Sequence, residues 1–284
     1  MLDTPYSLKH MNSDPDGWLS PSALTRVNYD HFICDQSKPH YGFKSWHDWF
    51  DREIHEWARP FDKKAENVII NNSEHYPNFN MPVPDVKWQD RFWLKDQHYS
   101  LSEMFGADNL PPSQQKYFRD IFEGGTVYQG FLNPWCYHRW RSPVSGVIEK
   151  CYKVGNSYYA GNPSLSFHLA ESYIASQPLL TMTSVRQIYV IKADNPNIGR
   201  VAVIEIGMAE VSGIVNLVKE GDRIEKGALL GMFRFGGSSH AFVFDRNAKN
   251  LRFDDSIAQR RLNPTTGVEE SLIQLVRTPL AYVD

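Results

Sequence analysis

The sequence predicts an α+β protein in which N-terminal helices pack on a mostly antiparallel β-sandwich or barrel core. Three observations carry this prediction. Apolar residues recur at helical spacing before Gly124, they alternate with period two after it, and glycines stand at strand corners between Val218 and Gly231.

Residues 1–44 mix polar residues with scattered apolar ones such as Trp18, Leu19 and Leu24, and read as an N-terminal extension to a domain spanning 45–284. From Ser45 to Arg59, Trp46, Phe50, Ile54 and Trp57 recur at helical spacing, with Ser45 as N-cap and Asp48 as its capping-box partner. This predicts an amphipathic helix whose aromatic stripe is core, because that spacing makes one buried face. The prolines and asparagines from Pro60 to Leu94 predict short strands and loops. Tyr117, Phe118, Ile121 and Phe122 mark a second helix, starting near Pro112 or Ser113. Val201 to Ile206 and Ala241 to Asp245 alternate as strands, while Gly221, Gly227 and Gly231 suit tight corners. The glycine pattern is similar to lipoyl and biotinyl carrier domains, but the stretch lacks a convincing lysine at a hairpin tip.

Composition narrows the function. The chain has 284 residues, with 30 basic against 33 acidic and no block of like charge, which argues against nucleic acid as a partner. Cys34, Cys136 and Cys151 have neither redox nor zinc spacing. The histidines form no H-E-x-x-H or H-x-H cluster, so no metal is expected. No apolar run approaches the roughly 18 residues of a transmembrane helix. Met1 to Asp16 lacks the pattern of a signal peptide, from which a cytoplasmic location is expected.

The chemistry concentrates at Phe235-Gly236-Gly237-Ser238-Ser239-His240. Two glycines before a serine permit a strained turn that brings the Ser238 hydroxyl onto the Gly237 carbonyl carbon, and a side chain at Gly237 would obstruct that approach. Attack shifts the acyl group from nitrogen to oxygen. Elimination then leaves dehydroalanine, which hydrolyses to a pyruvoyl group and ammonia. The chain becomes 1–237 and 238–284. Such a ketone forms a Schiff base with a substrate amine and accepts the electrons released as carbon dioxide departs. Gly-Gly-Ser-Ser also describes an ordinary loop. Here it lies between strand-like runs, Leu229 to Phe235 and Ala241 to Asp245, which favours a buried turn. A serine hydrolase is disfavoured because the second glycine of G-x-S-x-G is missing.

Several motifs in order resemble the phosphatidylserine decarboxylase family from about Trp46 to Asp245. Trp46-His-Asp-Trp-Phe-Asp-Arg52 with Arg59-Pro60 is similar to its F-N-x-F-F-x-R element and downstream Arg-Pro. Tyr99-Ser-Leu-Ser-Glu103 resembles Y-S-L-x-E, and Tyr137-His-Arg139 with Ser142-Pro-Val-Ser-Gly146 resembles Y-H-R-x-H-x-P-x-x-G. Val203-Ile-Glu-Ile-Gly207 and Gly231-Met-Phe-Arg-Phe-Gly-Gly-Ser-Ser239 resemble its V-x-V-G-A strand and G-x-F-x-x-G-S-T processing element.

The resemblance implies a zymogen that cleaves itself at Gly237-Ser238 and carries a covalent pyruvoyl cofactor made from Ser238, with Gly236 and Ser239 supporting the turn. It implies a histidine and an aspartate that activate the serine. The relay histidine falls at Arg141, which cannot act as a base, and the aspartate falls at Glu74. Three histidines are candidates to compensate: His138, His75 and His240. His138 is favoured, although the family associates that histidine with decarboxylation. The N-terminus has no basic or apolar lipid-docking face, and some soluble relatives take tryptophan. The expected substrate is therefore a soluble, aromatic L-amino acid, held near Tyr137, His138 and the stretch from His168 to Ser176. Two alternatives stand, a phosphatidylserine decarboxylase making phosphatidylethanolamine and a processing-deficient member with a binding role. The implied assembly is a homodimer.

Overall fold

The computed structural model describes the chain except residues 16, 79–80, 90–91, 95–96, 156–180, 208–212, 235–237, 263–266 and 268, and of 92–94 and 97–99 it describes the backbone. The helices are α1 (Pro21–Leu24), α2 (Trp46–Phe50), α3 (Leu101–Met104) and α4 (Pro112–Phe122). The first strands are β1 (Val68–Ile70), β2 (Tyr76–Pro77), β3 (Phe92–Leu94), β4 (Gln97–Tyr99), β5 (Thr126–Leu132), β6 (Arg139–Arg141), β7 (Gly146–Val154), β8 (Arg186–Ala193) and β9 (Arg200–Gly207). Then follow β10 (Gly213–Asn216), β11 (Arg223–Ile224), β12 (Leu229–Arg234), β13 (Ser238–Phe244), β14 (Arg252–Phe253), β15 (Arg260–Leu262), β16 (Glu269–Ser271) and β17 (Pro279–Tyr282).

Seven strands pair antiparallel in the order β11-β7-β8-β9-β13-β5-β2. Two three-stranded sheets, β10-β12-β6 and β1-β17-β14, and two hairpins complete the α+β architecture. The large sheet ends in two separate edge strands, so the described residues form an open sheet and no closed barrel. The expected alternation of β9 and β13 is of a particular kind, because both strands are buried along nearly their whole length. Val201, Val203, Phe242 and Phe244 enter one apolar cluster, while Ala202, Ile204, Ala241 and Val243 enter another on the opposite face. Central strands covered on both sides need apolar residues at nearly every position.

One face is covered by α3 and α4, which contribute Leu101, Met104, Phe118 and Phe122. Over the other face lie Trp46, Trp49 and Phe50 of α2, Trp140 and Phe233 of the small sheet, and Leu280 and Ala281 of β17. Met11, Leu19, Tyr29 and Phe43 from the N-terminal 44 residues join the same cluster. Each such large side chain contributes roughly 1.5–3 kcal/mol relative to exposure.

The helix expected over 45–59 is shorter. Ser45 caps it, its Oγ accepting from the Asp48 N–H at 3.1 Å, but the Asp48 carboxylate accepts from the Lys44 N–H at 2.8 Å. α2 stops at Phe50 because Arg52 turns back to donate to the Trp49 carbonyl at 3.1 Å and Ile54 bridges to Phe32. Trp57, expected on the buried stripe, is 63% exposed. The second helix runs over Pro112–Phe122 as predicted. Gly221 and Gly227 turn corners at φ +91° and +82°, conformations that glycine adopts without strain.

Candidate active site

Ser238 opens β13, in the middle of the large sheet, where it pairs with Leu132 of β5 and Gly207 of β9. The preceding strand, β12, belongs to the small sheet, so the chain changes sheets between Arg234 and Ser238. Gly236 and Gly237 lie outside the described residues, as does the stretch from His168 to Ser176. Ser238 and Ser239 are buried, and neither hydroxyl has a hydrogen-bond partner among the described residues. Because side chains alternate along a strand, Ser238 shares a face with His240, Phe242 and Phe244, and Ser239 points to the other.

The three candidate histidines are all fully buried, but they are differently engaged. His75 has both ring nitrogens occupied, Nε2 by the Tyr128 hydroxyl at 2.7 Å and Nδ1 by the Ser73 carbonyl at 3.1 Å. His138 stacks on Phe50 with ring centroids 3.9 Å apart, and neither of its nitrogens is partnered among the described residues. Its carbonyl accepts from the Phe233 N–H at 2.9 Å, which ties it to β12. His240 packs 4.1 Å from the His75 ring, again with neither nitrogen partnered. Burial penalises the imidazolium, so His75 and His138 are each pulled down to about 3 and His240 well below the usual range. The buried Arg52 guanidinium adds to this at His138. All three rings are therefore neutral near pH 7, the form that accepts a proton.

Glu74 and Arg141 have structural partners. Arg59 donates from Nε (2.9 Å) and Nη2 (2.5 Å) to Glu74 Oε1, and the Tyr137 N–H approaches Oε2 at 3.3 Å. Arg141 donates to the Gly227 carbonyl at 3.2 Å and to the Tyr137 hydroxyl at 3.3 Å. The Arg141 N–H donates to the Asn72 carbonyl at 2.8 Å, which places the 71–75 stretch beside β6.

Two further residues belong to this face. Glu205 of β9 stands directly opposite His240 and is fully buried. Asn72 donates to its Oε1, its Oε2 has no partner among the described residues, and burial holds its carboxyl well above the usual range. Gly130 of β5 faces His240 from the other side, and a Cβ there would lie 2.9 Å from His240 Nε2 and 2.8 Å from His75 Cγ. Both left a trace in the sequence, as a carboxylate inside the apolar run Val201 to Ile206 and a glycine inside the strand Val127 to Leu132.

A cavity of about 600 Å³ adjoins the same end of the sheet. Its lining includes Tyr76, Asn133, Trp135, Arg26 and Arg261. Asn133 follows Leu132, the ladder partner of Ser238.

Comparisons with known proteins identify relatives of this chain. The phosphatidylserine decarboxylase family model matches residues 46–262. The chain is 39% identical over 266 residues to the decarboxylase iboD of Amanita muscaria, covering 87% of this chain and 73% of that protein. It is 34% identical over 251 residues to the L-tryptophan decarboxylase of Psilocybe cubensis, covering 82% of this chain and 55% of that protein. A phosphatidylserine decarboxylase proenzyme of Fusobacterium nucleatum is 30% identical over 215 residues, with 76% and 64% covered. The chain thus spans about half the length of the tryptophan decarboxylase it resembles.

Proposed function

This chain belongs to the phosphatidylserine decarboxylase family, a family of carboxy-lyases, and from that premise we propose that it cleaves itself before Ser238 and then decarboxylates a soluble aromatic L-amino acid. The observation that carries the reading is the Ser238 hydroxyl, buried and unpartnered among the described residues at the first position of β13, where the chain crosses from one sheet to the other. A buried hydroxyl with no partner is costly unless it has another use. Attack on the Gly237 carbonyl is such a use. The paired strands β5 and β9 on either side of β13 hold the two fragments together after cleavage.

Ser238 thereby fits the group it would become. Once formed, a pyruvoyl ketone supplies an acceptor for the electrons released as carbon dioxide leaves. The surrounding residues keep water out, since Leu132, Phe242 and Tyr128 are all fully buried on this face. His138, neutral and with both nitrogens unpartnered among the described residues, is the group we assign to proton handling at the substrate.

The aromatic substrate is supported by the likeness to tryptophan decarboxylases and by the cavity beside Asn133, where Tyr76 and Trp135 offer rings for stacking. Carbon dioxide release should be measured with purified protein on free tryptophan, phenylalanine and tyrosine, and separately on vesicles containing phosphatidylserine. Turnover of an amino acid together with fragments 1–237 and 238–284 is the expected result. Turnover of the vesicles alone would transfer the assignment to the lipid, and an intact chain without turnover would leave a binding protein.

A further inference from the structure

With arginine at the family's relay position, the base that activates Ser238 must come from elsewhere, and the sheet supplies one. We propose that His240 takes the proton from Ser238 during self-cleavage and that Glu205 positions its ring, so that a serine, a histidine and a carboxyl on one sheet face replace the relay lost at position 141. The inference rests on the reading of Ser238 as the cleaved serine.

The geometry follows from strand register. Ser238 and His240 are two residues apart in β13, so their side chains stand on the same face with Cα atoms about 7 Å apart. Glu205 is the direct ladder partner of His240 in β9, which puts their Cβ atoms about 5 Å apart. Gly130, its ladder partner in β5, leaves room for the imidazole. Four atoms of this set have no hydrogen-bond partner among the described residues: Ser238 Oγ, His240 Nδ1, His240 Nε2 and Glu205 Oε2. So many unpartnered buried polar atoms on one face require an explanation. A relay whose hydrogen bonds close as the reaction proceeds provides it, since such bonds are commonly long in the resting state.

Three of the alternatives are bonded elsewhere, and the fourth, His138, adjoins another sheet. Both nitrogens of His75 are bonded, Arg141 is held by Gly227 and Tyr137, and Glu74 is held by Arg59. His138 precedes β6 in the neighbouring sheet and lies flat on Phe50. Burial keeps His240 in its neutral, accepting form.

The protons balance within this set. As the bond from Ser238 Oγ to the Gly237 carbonyl carbon forms, the hydroxyl proton passes to His240. When the carbon–nitrogen bond of that peptide breaks, His240 returns the proton to the Ser238 nitrogen, leaving an ester and an unchanged pair. Elimination and hydrolysis by water then proceed from the ester.

The test follows freshly synthesised full-length chain on a denaturing gel and by mass spectrometry, with and without hydroxylamine, which cuts an ester but leaves a peptide intact. Wild type should yield 1–237 and 238–284. His240→Gln and Glu205→Gln should process roughly 100-fold more slowly, with no extra cutting by hydroxylamine because no ester has formed. Glu205→Gln retains the shape and an acceptor for Asn72, so a melting temperature near that of uncleaved Ser238→Ala separates positioning from misfolding. Wild-type processing in either variant overturns the proposal. So does an accumulated ester that hydroxylamine cuts, which would place the pair after the acyl shift. Processing lost in His138→Ala but kept in His240→Gln overturns it in favour of His138. A wild-type chain that stays whole refutes the reading of Ser238 itself.

Discussion

Replacing Gly130 with alanine should destabilise the protein far more than a single methyl group in a strand ordinarily does. The added Cβ would sit 2.8 Å from His75 Cγ and 2.9 Å from His240 Nε2, closer than carbon atoms approach in folded proteins. Neither ring has free space, since His75 is bonded to Tyr128 and Ser73 while His240 is packed against His75 and Phe242. Overpacking of this kind costs about 1–3 kcal/mol. Displacing His75 from the Tyr128 hydroxyl adds about 1–3 kcal/mol for buried groups left unbonded. The stiffer unfolded chain returns about 0.5–1 kcal/mol. The net expectation is about 2–4 kcal/mol, which for a chain of this size lowers the melting temperature by roughly 5–15 °C. Thermal melts should be recorded in a Ser238→Ala background, so that every sample is one uncut chain. His75→Ala should relieve the clash, making the double variant more stable than the sum of the two singles by about 1–3 kcal/mol. A melting temperature within about a degree of the parent, or strict additivity with His75→Ala, would refute the assignment of Gly130 as the space for these rings.

Three other perturbations follow from the same face and its supports. His75, His138 and His240 are held neutral by burial, so between their folded values and about 6.5 the unfolded chain binds protons that the folded chain does not, and stability falls as pH falls. Glu205, whose carboxyl burial pushes well above the usual range, acts in the opposite sense above about 4.5 and offsets only part of the histidine effect, so stability still falls toward acid near pH 5–6. Urea midpoints of the Ser238→Ala chain at pH 7, 6 and 5 should show it, and a flat series would contradict the burial of neutral rings. Arg59→Met strands the Glu74 carboxylate, buried to 5% exposure, and should cost about 3–5 kcal/mol by the same urea titration. Ser45→Ala removes the cap of α2 and should cost about 1 kcal/mol, read as a shift of a few degrees in melting temperature.

The sequence by itself determined the local features. Pro112 to Phe122 is helical because its apolar residues recur at 3.6, and Val201 to Ile206 is a strand because its residues are β-branched and apolar. The ordered motifs around Ser238, which depend on residue type and spacing, led to the family to which the chain belongs. What tertiary structure decided is whatever depends on residues distant in the chain. α2 ends at Phe50, despite a helical pattern to Trp57, because Arg52 and Ile54 find partners in Trp49, Trp135 and Phe32. The open sheet follows from which strands end at its edges, which periodicity does not encode. Most consequentially, Glu205 and Gly130 flank His240 only because β9 and β5 pair with β13 in one register. A one-residue slip of either partner strand would turn its side chains to the opposite face. Serine chemistry at position 238 is therefore legible from neighbouring residues, whereas the groups around it are assembled by strand pairing across 106 to 110 positions for β5 and 31 to 35 for β9.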